Sequence, residues 1–180
     1  MKQERYFSVD IESAGPIPGK YSMLSLGACV VGRPTASFYV ELKPISLSFV
    51  PAAMEITGFD LKRLKKVGIN PAKAMRDFAS WVGSMAGNKE AIFVGFNGCY
   101  DWQFVNWYFE SFVGRNPFGI GGIDIKSYFM GLSGLSWSKT TSSRLPAKFQ
   151  PNRPQTHNAL DDALAQASIF EKLMRHNSRK

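Results

Sequence analysis

Apolar and polar residues alternate along the first part of the chain in the pattern of strands. Alternation over residues 5–12 predicts a half-buried strand, and the continuous apolar run 23–31 predicts a more deeply buried one. A third strand is predicted at 35–42, directly after the turn-like residues 32–34. These strands follow one another through short connections, which favours an antiparallel meander in a single sheet.

Helices and further strands are predicted in the rest of the chain. A loop carrying Pro44 and Pro51 is expected to lead to a helix that begins near Pro71, a favourable first-turn residue, and ends by Gly87. The next elements are predicted, in order, as a buried strand at 91–96, a helix at 101–112, a short strand at 123–125 and a helix at 158–175. A meander followed by alternating strands and helices indicates an α/β layer fold.

Apolar residues at helical spacing identify the face that each long helix turns towards the core. The predicted core faces consist of Met75, Phe78, Ala79 and Val82 in the first helix, Val105, Tyr108, Phe109 and Phe112 in the second, and Leu160, Leu164, Ala167, Phe170 and Met174 in the last. With 180 residues and no internal repeat, the chain is expected to form a single domain over residues 1–180.

The composition is that of a soluble globular protein and does not by itself indicate a function. Hydrophobic residues make up 44% of the chain, as in ordinary globular proteins, and no apolar run reaches the roughly 18 residues of a membrane span. The N-terminus does not read as a secretory signal, so a soluble cytoplasmic protein without membrane association is expected. Cys29 and Cys99 lie in apolar stretches and lack metal-ligand spacing, which predicts two buried free thiols.

Charge gives the first indication of a partner. The formal net charge of +8 fits a polyanionic ligand such as nucleic acid. Between Ile125 and Leu160 the chain has no acidic residue. The basic residues of this stretch are Lys126, Lys139, Arg144, Lys148 and Arg153. Attraction of nucleic acid and a solvated, flexible basic loop are equally good interpretations of this stretch.

Asp10 and Glu12 stand at alternate positions of the first predicted strand. Residues two apart in a strand share a face, so both carboxylates point the same way while Ile11 enters the opposite layer. Two carboxylates at the end of a buried strand repel each other unless a cation neutralises them. The alternative is a solvent-exposed strand end, because acidic pairs of this kind also arise by chance.

Further candidate residues lie where helices are predicted to begin. Asp101 and Asp162 stand in or near first turns, where a carboxylate also stabilises the helix by capping or through its dipole. Asp161 points about 100° around the helix from Asp162 and is expected to cap the helix or face solvent. His157 stands five residues before Asp162. Each acid thus lies where a strand ends or a helix begins, the places at which α/β sheets gather ligand groups.

Three short motifs have the order and spacing of a known family. They read DIESAG at 10–15, NGCYD at 97–101 and HNALDD at 157–162, and they resemble the three exonuclease motifs of the DnaQ-like (DEDDh) superfamily of 3'-to-5' exonucleases. Ser13 stands where that family commonly has threonine. The resemblance implies a ribonuclease H-like α/β fold, with a mixed five-stranded sheet, its first three strands antiparallel, flanked by α-helices.

Carried over by position, the resemblance assigns roles to five residues. Asp10, Glu12, Asp101 and Asp162 would hold two divalent ions, Mg²⁺ or Mn²⁺, with Asp10 bridging both. Hard carboxylate oxygens suit these ions. His157 would be the general base that takes a proton from the attacking water. The implied reaction is metal-dependent hydrolysis of single-stranded RNA or DNA from the 3' end to nucleoside 5'-monophosphates.

Substrate-binding positions also follow from the resemblance. Asn97 matches a position that orients the end of the substrate or the local backbone, and a structural role in the turn is an equally good interpretation. Ser13, Met23 and Leu24 after the first motif, and Trp102 beside the second, are candidates for contact with the terminal nucleotide, because stacking on an aromatic ring tolerates any base. Simple core packing is the alternative for most of the aromatic residues near Trp102.

Two other functions remain open on the sequence alone. A catalytically inactive nucleic-acid-binding or polymerase-docking module would keep the fold without the reaction. An α/β domain whose acids only cap helices would not depend on metal. All five catalytic positions are filled, which counts against the inactive module. A homodimer and a separate polymerase partner are compatible with the sequence, which does not favour RNA over DNA.

Overall fold

The computed structural model describes residues 3–151 and 156–178. Its five strands are β1 (Glu4–Ser13), β2 (Met23–Val30), β3 (Arg33–Glu41), β4 (Glu90–Gly95) and β5 (Gly122–Asp124). They form one sheet in the order β3-β2-β1-β4-β5, in which β1, β2 and β3 pair antiparallel while β4 and β5 run parallel to β1. The predicted meander and mixed five-stranded sheet are confirmed.

Six α-helices are formed by the described residues. They are α1 (Pro51–Thr57), α2 (Leu61–Val67), α3 (Pro71–Ala86), α4 (Cys99–Phe112), α5 (Ile125–Ser133) and α6 (Ala159–Asn177), and three 3₁₀ turns at Trp137–Lys139, Ser142–Arg144 and Ala147–Phe149 lie between α5 and α6. The predicted helices correspond to α3, α4 and α6, whereas α1, α2 and α5 were not predicted. α1 and α2 have seven residues each, too few for a helical apolar pattern to stand out. None of the helices in the described part is long and apolar enough to cross a bilayer.

The sheet separates two hydrophobic layers. On one face, Ile11 of β1 packs in a cluster with α3 and α4, where the rings of Phe78 and Phe109 stack with centroids 5.6 Å apart. On the other face, Phe170 of α6 packs with residues of β4 and α5. Complete burial of a phenylalanine side chain stabilises the fold by about 1.5–3 kcal/mol. The predicted core faces of α3 and α4 are confirmed, with Ala79 and Phe112 half-buried at their edges.

The last helix, α6, turns a different face to the sheet from the one predicted. The prediction is wrong for Leu160 and Leu164, which are half-buried, and correct for Ala167 and Phe170. Met174 is half-buried but packs against the same core cluster as Phe170. The helix instead approaches the sheet closely through small residues. A Cβ atom on Gly27 would lie 2.2 Å from the backbone carbonyl carbon of Ala159, so only glycine leaves room for this approach.

The two cysteines occupy different environments. Cys29 is buried in β2, where burial raises the pKa of its thiol to about 12. Cys99 is exposed in the first turn of α4, so the prediction of two buried thiols is wrong for Cys99. The apolar run that suggested burial belongs to β4, and the chain has already left the sheet when it reaches Cys99.

Candidate active site

A polar cleft opens where β1 and β4 end and where α4 and α6 begin. Its wall contains the five residues that the motifs singled out, Asp10, Glu12, Asp101, His157 and Asp162. Asp10 and Glu12 share the face of β1 that is turned towards α6, as the alternation predicted. The structure therefore brings together side chains that are more than 150 residues apart along the chain.

Asp101 connects the start of α4 to the end of β1. It is 5% exposed, and one of its carboxylate oxygens accepts a hydrogen bond of 3.0 Å from the backbone N–H of Ile11. The N-cap of α4 is Gly98, so Asp101 lies in the first turn and does not cap the helix. Its carboxylate is thus held beside Asp10 and Glu12.

Asp162 fixes the turn that carries His157. Its two carboxylate oxygens accept hydrogen bonds from the backbone N–H groups of Thr156, at 2.8 Å, and His157, at 3.1 Å. Asn158 is the N-cap of α6 and accepts from the N–H groups of the first turn. Asp161 lies in the first turn of α6 at a partly exposed position, where its carboxylate accepts from the Thr156 hydroxyl at 3.4 Å.

His157 and Asn97 share an unusual backbone conformation at the rim of the cleft. In the described parts of the chain they are the two residues other than glycine with positive φ, 56° for His157 and 54° for Asn97. A left-handed conformation of this kind costs on the order of 1–3 kcal/mol and occurs most often at functional sites. Although His157 is exposed, one ligand atom each of Glu12, His157 and Asp162 lie within 4.8 Å of one another.

The four carboxylates oppose one another's ionisation. Burial raises the pKa of Glu12 to about 8, and the charges of Asp162 and Asp101 add to the effect. Burial likewise raises the pKa of Asp101 to about 7. The pKa of Asp10 lies well above its usual value, again through burial first and then through Asp101, Glu12 and Asp162. Burial also raises the pKa of Asp162. A cation at this position relieves the repulsion, so the donor set fits divalent metal.

Gln166 is a polar residue of the cleft that sequence reasoning missed. Its Oε1 accepts a 2.9 Å hydrogen bond from the backbone N–H of Phe96, and its Nε2 donates to Asp10 at 2.6 Å. Because a backbone N–H can only donate, this contact fixes which end of the amide faces Asp10. Its spacing from Asp162 could have indicated this location. Gln166 follows Asp162 by one helical turn and therefore lies on the same face of α6.

Tyr100 was also missed, and Ser13 has a different environment from the one expected. The hydroxyl groups of Ser13 and Tyr100 are 2.7 Å apart, and Ser13 also donates to the carbonyl of Gly15 at 3.0 Å. Ser13 is buried, whereas Tyr100 is exposed in the wall of the cleft. Ser13 thus anchors the Tyr100 ring at the end of β1.

Three predicted substrate-binding residues are not brought to the cleft. Met23 is completely buried against α3 and α4, and Leu24 is completely buried in a small cluster with α2. Trp102 is half-buried and packs edge-to-face on Phe93, with centroids 5.2 Å apart. It lines a separate pocket beside β5. Core packing, the alternative considered for the aromatic residues, accounts for Trp102.

The fold and the cleft define a nuclease of the DEDDh type. The exonuclease family model named for RNase T matches residues 7–170, and the chain therefore belongs to this family of exonucleases. A curated relative from Escherichia coli, the 3'-5' DNA exonuclease Cap18, is 46% identical over 179 residues, which are 99% of this chain and 96% of the relative. The protein is thus a 3'-5' exonuclease.

Solved structures show the same fold at low sequence identity. The nuclease domain of 3'hExo, a DEDDh family member bound to rAMP, superposes with a TM-score of 0.75 at 13% identity, over 96% of this chain and 92% of the other. Exonuclease I of E. coli in complex with a dA16 oligonucleotide gives a TM-score of 0.69 at 16% identity over 98% of this chain. This chain spans only 42% of exonuclease I. The ribonuclease H-like fold implied by the motifs is confirmed.

Proposed function

We propose that the cleft hydrolyses the terminal phosphodiester of single-stranded DNA from the 3' end, with two divalent cations, and releases nucleoside 5'-monophosphates. The observation that carries this proposal is the set of four carboxylates in one cleft, with Glu12, Asp101 and Asp162 almost fully buried. Burial first, and then neighbouring carboxylates, raise the pKa values of all four. Acids this close together are stable when they are protonated or when a cation neutralises them, and a cation at this position allows them to ionise.

Asp10, Glu12, Asp101 and Asp162 are the proposed metal ligands. Their oxygens are hard donors, which suit Mg²⁺ and Mn²⁺. When bound, a pair of such cations polarises the phosphate, favours ionisation of water and stabilises the leaving oxygen. Asp10 lies at the centre of the acidic group, since its pKa is raised by all three other carboxylates, and it is the proposed bridging ligand.

His157 is the proposed general base. A neutral imidazole accepts a proton through a ring nitrogen, which suits a general base. A ring nitrogen of His157 takes a proton from the attacking water while the bond between the water oxygen and phosphorus forms. The bond between phosphorus and the 3'-oxygen of the shortened strand then breaks, and that oxygen is protonated. The exposure of His157 at the cleft rim leaves its ring accessible to water and substrate.

DNA is the proposed substrate because the curated relative with 46% identity is named as a DNA exonuclease. The segment between α5 and α6 supports a polyanionic ligand, since Lys139, Arg144 and Lys148 are in it and Ser142 lines the cleft. Its buried Phe149 anchors this segment to the core. Arg153, the remaining basic residue predicted there, lies outside the described residues.

A time course on 5'-labelled single strands tests the proposal. DNA and RNA of matched sequence are incubated with Mg²⁺, with Mn²⁺ and with chelator, beside the Asp10→Asn protein as a control for contaminating nuclease. We expect metal-dependent shortening from the 3' end, faster on DNA than on RNA. Equal or faster degradation of RNA would contradict the substrate proposal. Binding without cleavage by the wild-type protein would favour the inactive module instead.

A further inference from the structure

Beside the acidic cleft lies a lysine whose charge has no acidic partner. Lys126 is in the first turn of α5 and is only 7% exposed. Its Nζ lies 3.7 Å from the centroid of the Trp137 ring. Within residues 3–151 and 156–178, this ammonium contacts no carboxylate and no hydrogen-bond acceptor. The face of the Trp137 ring stabilises the ammonium through a cation–π contact, and the N–H donors that this contact leaves over have no acceptor among these residues.

Trp137 presents an open aromatic surface above this lysine. Trp137 is 51% exposed, although burial of a large apolar ring stabilises a protein. The backbone around it is held in place: the buried Thr140 donates from Oγ1 to the carbonyl of Trp137 at 2.9 Å, and Arg144 donates to the carbonyl of Ser138 at 2.6 Å. The ring is thus carried by a well-anchored turn.

The pair lies close to the catalytic cleft on the β5 side. Asp124, at the end of β5, pairs with Gly95 of β4 and accepts a 2.8 Å hydrogen bond from the backbone N–H of Gly98, next to Asn97 of the cleft. Lys126 follows two residues later. From Trp137 the chain reaches Ser142 in the cleft wall within five residues, which span at most about 18 Å.

We propose that Lys126 and Trp137 form a second nucleotide subsite, which holds a base and a phosphate of the single strand on the 5' side of the nucleotide being removed. This inference rests on the proposed function, because it takes single-stranded DNA as the ligand. Trp137 stacks with the base, and Lys126 contacts a neighbouring phosphate. The surrounding stretch is complementary to such a strand, since it contains Lys139 and Arg144 and no acidic residue from Ile125 to Pro151.

Binding to an oligothymidylate of about 12 nucleotides tests the subsite without turnover. The measurement uses fluorescence anisotropy of the labelled oligonucleotide and Asp10→Asn as the background. Trp137→Ala is expected to raise Kd about 5- to 150-fold, the range that corresponds to loss of one stacked base. Trp137→Phe should restore most of the affinity. Lys126→Met should weaken binding. It should also reduce the slope of the logarithm of the binding constant against the logarithm of salt concentration by about 0.7, the value for one phosphate contact with a single strand.

Lys89→Met is the matched charge control. Lys89 immediately precedes β4, at the end of that strand opposite the cleft, and its substitution removes the same charge from the protein. Relative to the Asp10→Asn background, we expect Lys89→Met to change the Kd much less than Lys126→Met does. An equal effect of the two substitutions would mean that only net charge matters and would overturn the subsite. Thermal melting of each variant separates loss of binding from loss of fold.

Turnover on substrates of different length provides the second readout. In the otherwise wild-type protein, Trp137→Ala should raise KM more for a long strand than for a dinucleotide, because only the long strand reaches the subsite. Equal KM changes on both substrates, with unchanged oligonucleotide binding, would overturn the inference while leaving the exonuclease intact. Absence of cleavage by the wild-type protein contradicts the proposed function instead, and the binding measurement still decides on the subsite.

Discussion

The side-chain amide of Gln166 donates a 2.6 Å hydrogen bond from Nε2 to Oδ1 of Asp10. The other end of the amide accepts from the backbone N–H of Phe96, so Gln166 connects α6, β1 and β4 at the point where the cleft begins. One oxygen of Asp10 is thereby held by a donor from the protein. The Asp10 carboxylate is therefore oriented before any ligand binds, and the residue that orients it belongs to α6.

Replacement of Gln166 by leucine should therefore loosen the cleft. The variant loses the donor to Asp10 and leaves the buried N–H of Phe96 without a partner, which costs about 1–3 kcal/mol of the free energy of unfolding. We expect a lower melting temperature and a higher Mn²⁺ concentration for half-maximal activity. Gln103→Leu is the control, because the Gln103 amide only reaches the carbonyl of Pro16, at 3.3 Å. A Gln166→Leu protein with unaltered metal dependence would exclude Gln166 from positioning Asp10.

Asp10→Asn should separate activity from stability. Loss of the proposed bridging ligand is expected to reduce the rate of DNA hydrolysis by about 10²- to 10³-fold or more, the range seen when one electrostatic contact to a transition state is removed. In chelator, the same variant should melt at a higher temperature than the wild-type protein, because one of four repelling carboxylates is neutralised. Asp77→Asn, an exposed acid on α3, is the control. Wild-type turnover by Asp10→Asn would refute the metal assignment.

His157→Ala should reduce the rate of hydrolysis by about 10²- to 10⁴-fold, the usual contribution of a general base, with metal binding largely preserved. Because His157 has a positive φ, alanine also adds backbone strain. His157→Asn removes the imidazole at a residue that tolerates this conformation. We expect both variants to hydrolyse DNA slowly. A fast His157→Asn enzyme would assign His157 a purely structural role.

Stability of the metal-free protein should fall as pH rises. The folded pKa values of Glu12, about 8, and Asp101, about 7, lie above the usual values of 4.5 and 3.8. Between those limits the folded state binds more protons than the unfolded state, so the free energy of unfolding decreases with pH and levels off above pH 8. Thermal melting in chelator from pH 5 to pH 8 measures this directly. Glu12→Gln should show a shallower decrease. If stability fell equally steeply with pH in both proteins, the raised pKa of Glu12 would not be its cause.

Gly27→Ala should displace α6 from the sheet. The added Cβ would lie 2.2–2.3 Å from backbone atoms of Ala159 and Leu160, which cannot move without moving the helix. Overpacking of this kind typically costs about 1–3 kcal/mol and sometimes more. Since α6 carries Asp162 and Gln166, activity should fall together with the melting temperature. Gly83→Ala in α3 is the control, because nothing lies within 4 Å of its Cβ and alanine favours the helix. Equal melting temperatures for the two variants would refute the close packing.

The sheet and the five motif residues could be predicted from sequence because each depends on a local pattern. Alternation places Asp10 and Glu12 on one face of β1 whatever the rest of the chain does. Asp101 and Asp162 stand in the first turns of α4 and α6, but their place in the site, like that of His157, was predicted from the resemblance of the three motifs to a known family. Local periodicity was sufficient for the five strands and for α3, α4 and α6.

Contacts that depend on tertiary packing were not predictable in the same way. The leucine residues of α6 suggested a core face, but close approach at Gly27 selects the neighbouring face and so brings Gln166 to Asp10. Burial of Met23 and exposure of Tyr100 likewise depend on how helices far apart in the sequence meet at the end of β1. The pattern of apolar and polar residues in the sequence indicates neither the burial of Met23 nor the exposure of Tyr100.

The four carboxylates of the cleft are proposed to hold two divalent cations, and this number can be measured. Isothermal titration of Mn²⁺ into the metal-free protein, in the presence of thymidine 5'-monophosphate as the proposed product, measures how many ions the cleft holds. Two ions per chain are expected for the wild-type protein and at most one for Asp10→Asn. A wild-type protein that binds no Mn²⁺, or an Asp10→Asn protein that binds as many ions as the wild type, would contradict the two-metal proposal.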